Sequence, residues 1–85
     1  MTKIEIYTSP LCIFCSRAKS LLNSKGMEYT EINVATHPGK RQEMIERANS
    51  TSVPQIFANG QHIGDCERIY ALDALGQLDA VLGIT

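Results

Sequence analysis

Apolar and polar positions along this chain change period several times, and each change marks an element. In Lys3-Ile4-Glu5-Ile6-Tyr7-Thr8, β-branched and aromatic residues alternate with polar ones, which suits a pleated strand. Ser9-Pro10-Leu11 breaks the run, and from Ser16 to Leu22 the pattern becomes helical. The spacing predicts a helix over roughly Cys15 to Lys25, with Ala18, Leu21 and Leu22 as its apolar stripe and Gly26 as its C′ stop. Glu28 to Val34 alternates again and reads as a second strand. Strand, helix and strand within about thirty residues make a βαβ unit with parallel strands and a right-handed crossover.

After the loop Thr36-His37-Pro38-Gly39, a second helix is expected near Lys40 to Ala48, with Met44, Ile45 and Ala48 inward. Val53 to Ala58, Asn59-Gly60, then Gln61 to Gly64 form the clearest hairpin, because Asn-Gly tolerates the two positive φ angles of a type I′ turn. Asp65 is a plausible N-cap for a third helix, with Ile69, Tyr70, Leu72, Ala74 and Leu75 on its apolar side. Gly76 interrupts it, and Leu78, Val81 and Leu82 suggest a short final helix. The order β-α-β-α-β-β-α fits the α/β class, as a four-stranded mixed sheet flanked by helices.

Composition narrows the classes of function. Eighty-five residues are expected to form a single domain, residues 1–85, with a modest core. Hydrophobic residues at 44% and charged residues at 20% are ordinary for a globular protein. With a formal charge of −1 and no basic stripe, nucleic acid is not an expected partner. No apolar run is long enough to span a membrane, and the N-terminus enters a strand pattern without a visible signal peptide, so a cytoplasmic location is expected. The three cysteines, Cys12, Cys15 and Cys66, are an odd number, which argues against a structural disulfide framework. His37 and His62 have no zinc-finger spacing, and no metal is expected.

The chemistry gathers at Cys12-Ile13-Phe14-Cys15. Cys12 falls where the first strand ends and a helix begins. The first turn of a helix offers unpaired backbone N–H groups and the positive end of the dipole. A thiol held there ionises more readily, and the thiolate is the nucleophile. Cys15 lies one turn on, on the same face and better shielded, which suits a resolving thiol. A C-x-x-C beside a βαβ pattern is the redox signature of the thioredoxin-like fold.

At this point the chain resembles a glutaredoxin of the small bacterial dithiol type over essentially its whole length. Five ordered segments carry the resemblance: Glu5-Ile6-Tyr7-Thr8; Cys12 to Cys15 with Arg17-Ala18-Lys19; Arg41 to Ile45; Ser52 to Phe57; and Gly64-Asp65-Cys66-Glu67 with Tyr70-Ala71-Leu72-Asp73. The resemblance implies a glutathione-dependent thiol-disulfide oxidoreductase that reduces protein–glutathione mixed disulfides and protein disulfides. Glutathione would be its reductant co-substrate, glutathionylated or disulfide-containing proteins its partners, and a monomer its expected state. Cys12 would attack and Cys15 resolve.

The resemblance also implies a glutathione groove made by Phe14, Arg41, Ser52, Val53, Pro54, Cys66 and Glu67. Val53-Pro54 would be cis, with the backbone of Val53 pairing with the ligand like an added strand. The N–H groups of Cys66 and Glu67 would meet the γ-glutamyl carboxylate, the Glu67 side chain its ammonium, and Arg41 the glycine carboxylate. Bland readings stand beside these: a core sulfur for Cys66, a core stripe for Phe14, solvated charges for Arg41 and Lys19, and surface positions for both histidines.

Ile13 and Phe14 stand where the family usually has Pro and Tyr. Ser9 stands where a lysine is frequent, and Gly64-Asp65-Cys66-Glu67-Arg68 replaces Gly-Gly-Cys-Asp-Asp. Arg68 and Asp65 are therefore expected to oppose the ligand's charge pattern. The missing proline leaves open a glutathione-ligated [2Fe–2S] carrier. A redoxin donating electrons to ribonucleotide reductase is the other alternative, although its aromatic-rich C-terminal signature is absent.

Overall fold

The computed structural model describes residues 2–84. Its elements run β1 (Ile4–Thr8), α1 (Ile13–Ser24), β2 (Thr30–Asn33), α2 (Lys40–Ala48), β3 (Gln55–Ala58), β4 (Gln61–Gly64), α3 (Cys66–Ala74) and α4 (Leu78–Leu82). The four strands form one mixed sheet in the order β2-β1-β3-β4. β1 pairs parallel with β2 and antiparallel with β3, which in turn pairs antiparallel with β4. This is the thioredoxin-like arrangement.

The two-residue period of β1 divides the core. Ile4 and Ile6 point to one face, where they join Ala18, Leu21 and Leu22 of α1, Ile69 of α3, and Leu78 and Leu82 of α4. Tyr7 points to the other face and packs with Val34, Met44 and Phe57, with Ile45 and Ala48 of α2 half-buried against them. So α1, α3 and α4 cover one side of the sheet and α2 the other. Lys25, at the end of α1, fastens the first side with ion pairs of 2.6 Å to Asp73 and 2.8 Å to Asp79.

Register carries the later segments to the end of β1. Tyr7 lies opposite Gln55, so the residues before Gln55 run beside the chain leaving β1. Ile56 lies opposite Gly64, so the start of α3 arrives at the same end. The 59–60 turn has positive φ at both residues, as Asn-Gly implies. Asn59 also clamps β1, accepting from Lys3 N at 2.8 Å through its side chain and donating to Lys3 O at 2.8 Å from its backbone.

The departures from the expected boundaries have local causes. β3 begins at Gln55 rather than Val53, because Pro54 has no N–H to give a ladder. β2 begins at Thr30, where pairing with Glu5 starts. α1 begins at Ile13, because Cys12 itself is the cap. Of the five residues expected on the apolar side of α3, Ile69 and Leu72 turn inward, while Tyr70, Ala74 and Leu75, the residue after the helix, are exposed.

At Gly64 both the backbone and the packing demand glycine. Its φ is +135°, and an added Cβ would collide with the Cβ and Cγ of Arg68. Gly64→Ala is expected to cost about 1–3 kcal/mol of stability, the usual range for a residue forced into such a conformation. Urea unfolding of the two proteins checks this, and an unchanged midpoint would show that the β4–α3 junction relaxes freely.

Candidate active site

The strand-to-helix junction sets the site. Leu11 takes φ +58° to turn the chain, and Cys12 returns to extended backbone (φ −97°, ψ 111°) as the N-cap of α1. In place of the usual oxygen, the Cys12 sulfur accepts the Cys15 N–H at 3.2 Å. That N–H is one of the donors a helix start leaves without an intrahelical partner. Cys12 Sγ also lies 4.0 Å from the carbonyl oxygen of Val53, so the cis Val53-Pro54 segment faces it.

The two thiols are chemically unequal. Cys12 is half-exposed, whereas Cys15 is only 2% exposed. Burial above all, followed by its interaction with Cys12, pushes the Cys15 thiol up to about 12. Cys15 is therefore a protonated thiol at neutral pH and cannot open an exchange reaction. Burial likewise raises the Cys66 thiol, which is 6% exposed and packs in the core cluster with Ile69. All three cysteines are free thiols.

A groove of about 210 Å³ beside Cys12 is lined by Phe14, Ser52, Val53, Pro54, Asp65, Cys66 and Glu67. A second hollow continues it between α1 and α3, lined by Phe14, Arg17, Cys66, Glu67 and Tyr70. Six of the seven residues expected to bind the ligand are thus brought together. Phe14 is 56% exposed and belongs to the groove wall, not to a core stripe. Arg41 lies apart from the lining, its Nη1 donating to Thr51 O at 3.2 Å, next to the segment that forms one wall.

Asp65 is the N-cap of α3 and accepts the Arg68 N–H at 2.9 Å. The N–H groups of Cys66 and Glu67 occupy the first helical positions after it. Arg68, expected to oppose the ligand's charge, instead lies against Gly64 and lines a hollow with His62 and Leu72 behind β4. Arg68, three residues beyond the Asp65 cap, is rotated away from the groove, a feature that linear spacing does not show.

Arg17 and Tyr70, which the sequence places in the segments of the resemblance without a role at the site, line the hollow between α1 and α3. Arg17 sits 5.9 Å from the Phe14 ring centre, and the Tyr70 hydroxyl donates to Arg17 O at 2.9 Å, joining the two helices across the groove. The signal was helical spacing: Arg17 is three residues after Phe14, and Tyr70 three after Glu67. Lys19 is not a free surface charge; it pairs at 3.1 Å with Glu31, which also accepts from the buried Thr8 hydroxyl at 2.8 Å. Partial burial pushes the Glu31 carboxyl up, but the Thr8 and Lys19 hydrogen bonds outweigh it and hold Glu31 below its ordinary value.

A half-exposed capping thiol, a buried partner thiol one turn on and a cis-proline segment facing them define a thiol-disulfide oxidoreductase site. Comparisons with known proteins agree. The glutaredoxin family model matches residues 4–63. The chain is 51% identical over 82 residues to glutaredoxin 3 of Escherichia coli K12, covering 96% of this chain and 99% of that protein. The solution structure of glutaredoxin from Brucella melitensis superposes with a TM-score of 0.86 at 44% identity, covering 99% of this chain and 91% of that one. A crystal structure titled as a buckwheat glutaredoxin–glutathione complex superposes with a TM-score of 0.87 at 25% identity, covering 96% and 77%. The chain belongs to the glutaredoxin family.

The buried Cys15 proton links to stability. Its folded value lies above its ordinary value of 9.0, so the unfolded chain gives up this proton first as pH rises. The stabilisation is complete below that ordinary value and is lost progressively as pH rises toward about 12. Wild-type protein should therefore lose stability relative to Cys15→Ser as pH increases above the ordinary thiol range. Denaturant melts of both proteins at neutral and alkaline pH test it, and parallel curves would show that Cys15 titrates as a free thiol.

Proposed function

We propose that this protein is a glutathione-dependent oxidoreductase acting on protein–glutathione mixed disulfides and, through Cys12 and Cys15 together, on protein disulfides. The observation that carries the reading is the groove whose Val53 wall lies 4.0 Å from Cys12 Sγ, in which donors and acceptors match the ends of glutathione. Val53 offers backbone groups beside Cys12, Cys66 and Glu67 offer helix-start N–H groups for a carboxylate, and the Glu67 side chain suits an ammonium. Phe14 gives an apolar wall. Arg41, beside Thr51, is the cation for the glycine carboxylate.

In the first step the Cys12 thiolate attacks the glutathionyl sulfur of a mixed disulfide. The sulfur–sulfur bond of the substrate breaks, the protein leaves as a thiolate that takes up a proton, and Cys12 becomes glutathionylated. A second glutathione, as thiolate, attacks the glutathionyl sulfur; glutathione disulfide leaves and the Cys12 thiolate returns. With a protein disulfide, the Cys12 thiolate attacks one substrate sulfur, the substrate's sulfur–sulfur bond breaks, and its other sulfur leaves as a thiolate that takes up a proton, which leaves the substrate bonded to Cys12. Cys15 then loses its proton and attacks Cys12, releasing the reduced protein and leaving a Cys12–Cys15 disulfide for two glutathiones to reduce. The Cys15 N–H at 3.2 Å meets the Cys12 sulfur whenever it carries charge. No helix among the described residues is long and apolar enough to cross a membrane. The proposed setting is a monomer in the cytoplasm.

Turnover of a glutathionylated peptide, coupled to glutathione reductase and NADPH, tests the reading. Cys12→Ser is expected to abolish activity. Cys15→Ser is expected to keep deglutathionylation and lose reduction of protein disulfides. Equal loss of deglutathionylation in both variants would overturn the assignment, and a brown cluster on anaerobic purification with glutathione would favour the [2Fe–2S] carrier.

A further inference from the structure

Among the described residues Gln55 is one of two buried polar ones, 2% exposed, and its side-chain amide is almost fully engaged. Its Nε2 donates to Ser52 O at 3.0 Å and lies 3.3 Å from Ser52 Oγ. Its Oε1 lies 2.7 Å from His62 Nε2 on β4. The chemistry of the partners fixes which end of the amide is which. A peptide carbonyl only accepts, so the group facing Ser52 O must be the NH2. Oε1 then faces His62, and His62 Nε2 must carry the hydrogen, in the neutral Nε2–H form or the imidazolium alike. His62 is held for this by its ring, which tilts against Phe57 with centroids 5.0 Å apart, while Arg47 covers Phe57 at 4.0 Å.

The bond from Gln55 ends on the wall of the groove. Ser52, Val53 and Pro54 line it, and the Val53 carbonyl lies 4.0 Å from Cys12 Sγ. Apart from that long contact with Cys12, the side-chain bonds that hold the rest of the loop are exposed: Arg41 to Thr51 O, and Ser50 Oγ with Ser52 N at 3.3 Å and Ser52 Oγ at 3.1 Å. The buried tie is the one that runs through Gln55.

We propose that Gln55, with its amide oriented by His62, is the positioning residue that fixes the Ser52–Pro54 wall for the peptide backbone of glutathione. This rests on the glutathione reading above. Without the His62 donor, Oε1 loses its partner and the amide is held at its Nε2 end alone, so the tie to Ser52 loosens and the wall must be ordered each time the ligand binds. The loss falls on ligand binding more than on the thiols, because the cap bond from Cys15 N–H to Cys12 lies at the start of α1 and Cys12 meets this wall only through the 4.0 Å contact with the Val53 carbonyl.

Steady-state kinetics with a glutathionylated peptide, glutathione, glutathione reductase and NADPH provide the test. His62→Phe keeps a ring against Phe57 and removes only the donor. It should raise the KM for the peptide roughly five-fold, the worth of one net hydrogen bond, and raise KM more than it lowers kcat. Gln55→Met should raise KM further, and His62→Gln, which restores an N–H at similar reach, should return it toward wild type. Wild-type KM in all three variants of an active enzyme would overturn the inference and leave the glutathione reading intact. A wild-type protein inert toward the peptide would overturn both. One measurement needs no variant: a long-range 1H–15N spectrum of wild-type protein should show a hydrogen on His62 Nε2, and a neutral ring protonated on Nδ1 would refute the bond.

Discussion

Everything distinctive about this protein depends on one hydrogen bond, from the Cys15 N–H to the Cys12 sulfur at the start of α1. An N-cap ordinarily satisfies an unpaired helix donor with an oxygen. Here a thiol does so, and the same geometry that closes the helix leaves Cys12 half-exposed and extended while Cys15 turns under it into the core. The division of labour between two chemically identical groups follows. One sulfur is half-exposed, with a backbone donor on it and the Val53 carbonyl 4.0 Å away; the other is buried, its thiol pushed up to about 12. No separate base or cation is needed to tell them apart.

The fold supplies the rest of the site by register. β1 is the inner strand against which both β2 and β3 align, and its end is where the reactive loop begins. Pairing of Tyr7 with Gln55 and of Ile56 with Gly64 delivers the cis-proline segment and the start of α3 to that end. Segments some forty and fifty residues beyond Cys12 thus become the two walls of one groove, with Phe14 between them. Helices pack on both faces of the sheet, so the walls rest on rigid elements, as a site needing fixed geometry requires.

Much of this was legible in the chain because the relevant signals are local. The alternation around Ile4 and Ile6, the Asn59-Gly60 turn, the Asp65 cap and the spacing of Cys12 and Cys15 each act within a few residues, and each takes the expected form. The strand boundaries moved where pairing decides them, at Thr30 and Gln55. What could not be read locally was rotation and contact between elements. Arg68 turns behind β4, Tyr70 on α3 and Leu75 just after it face outward, and Lys19 meets Glu31 across the βαβ unit. His62, which looked like a bland strand residue, gains its meaning from a buried glutamine on the neighbouring strand.

The central claim is that Cys12 is the one sulfur that takes the glutathionyl group, because it alone is both exposed and placed beside the groove. Mass spectrometry of the Cys15→Ser protein after a single exposure to a glutathionylated peptide tests it directly, since this variant cannot close the internal disulfide. The account predicts glutathione attached to Cys12, with the peptide released as a free thiol. Glutathione on Cys66, or the peptide itself attached to Cys12, would contradict it.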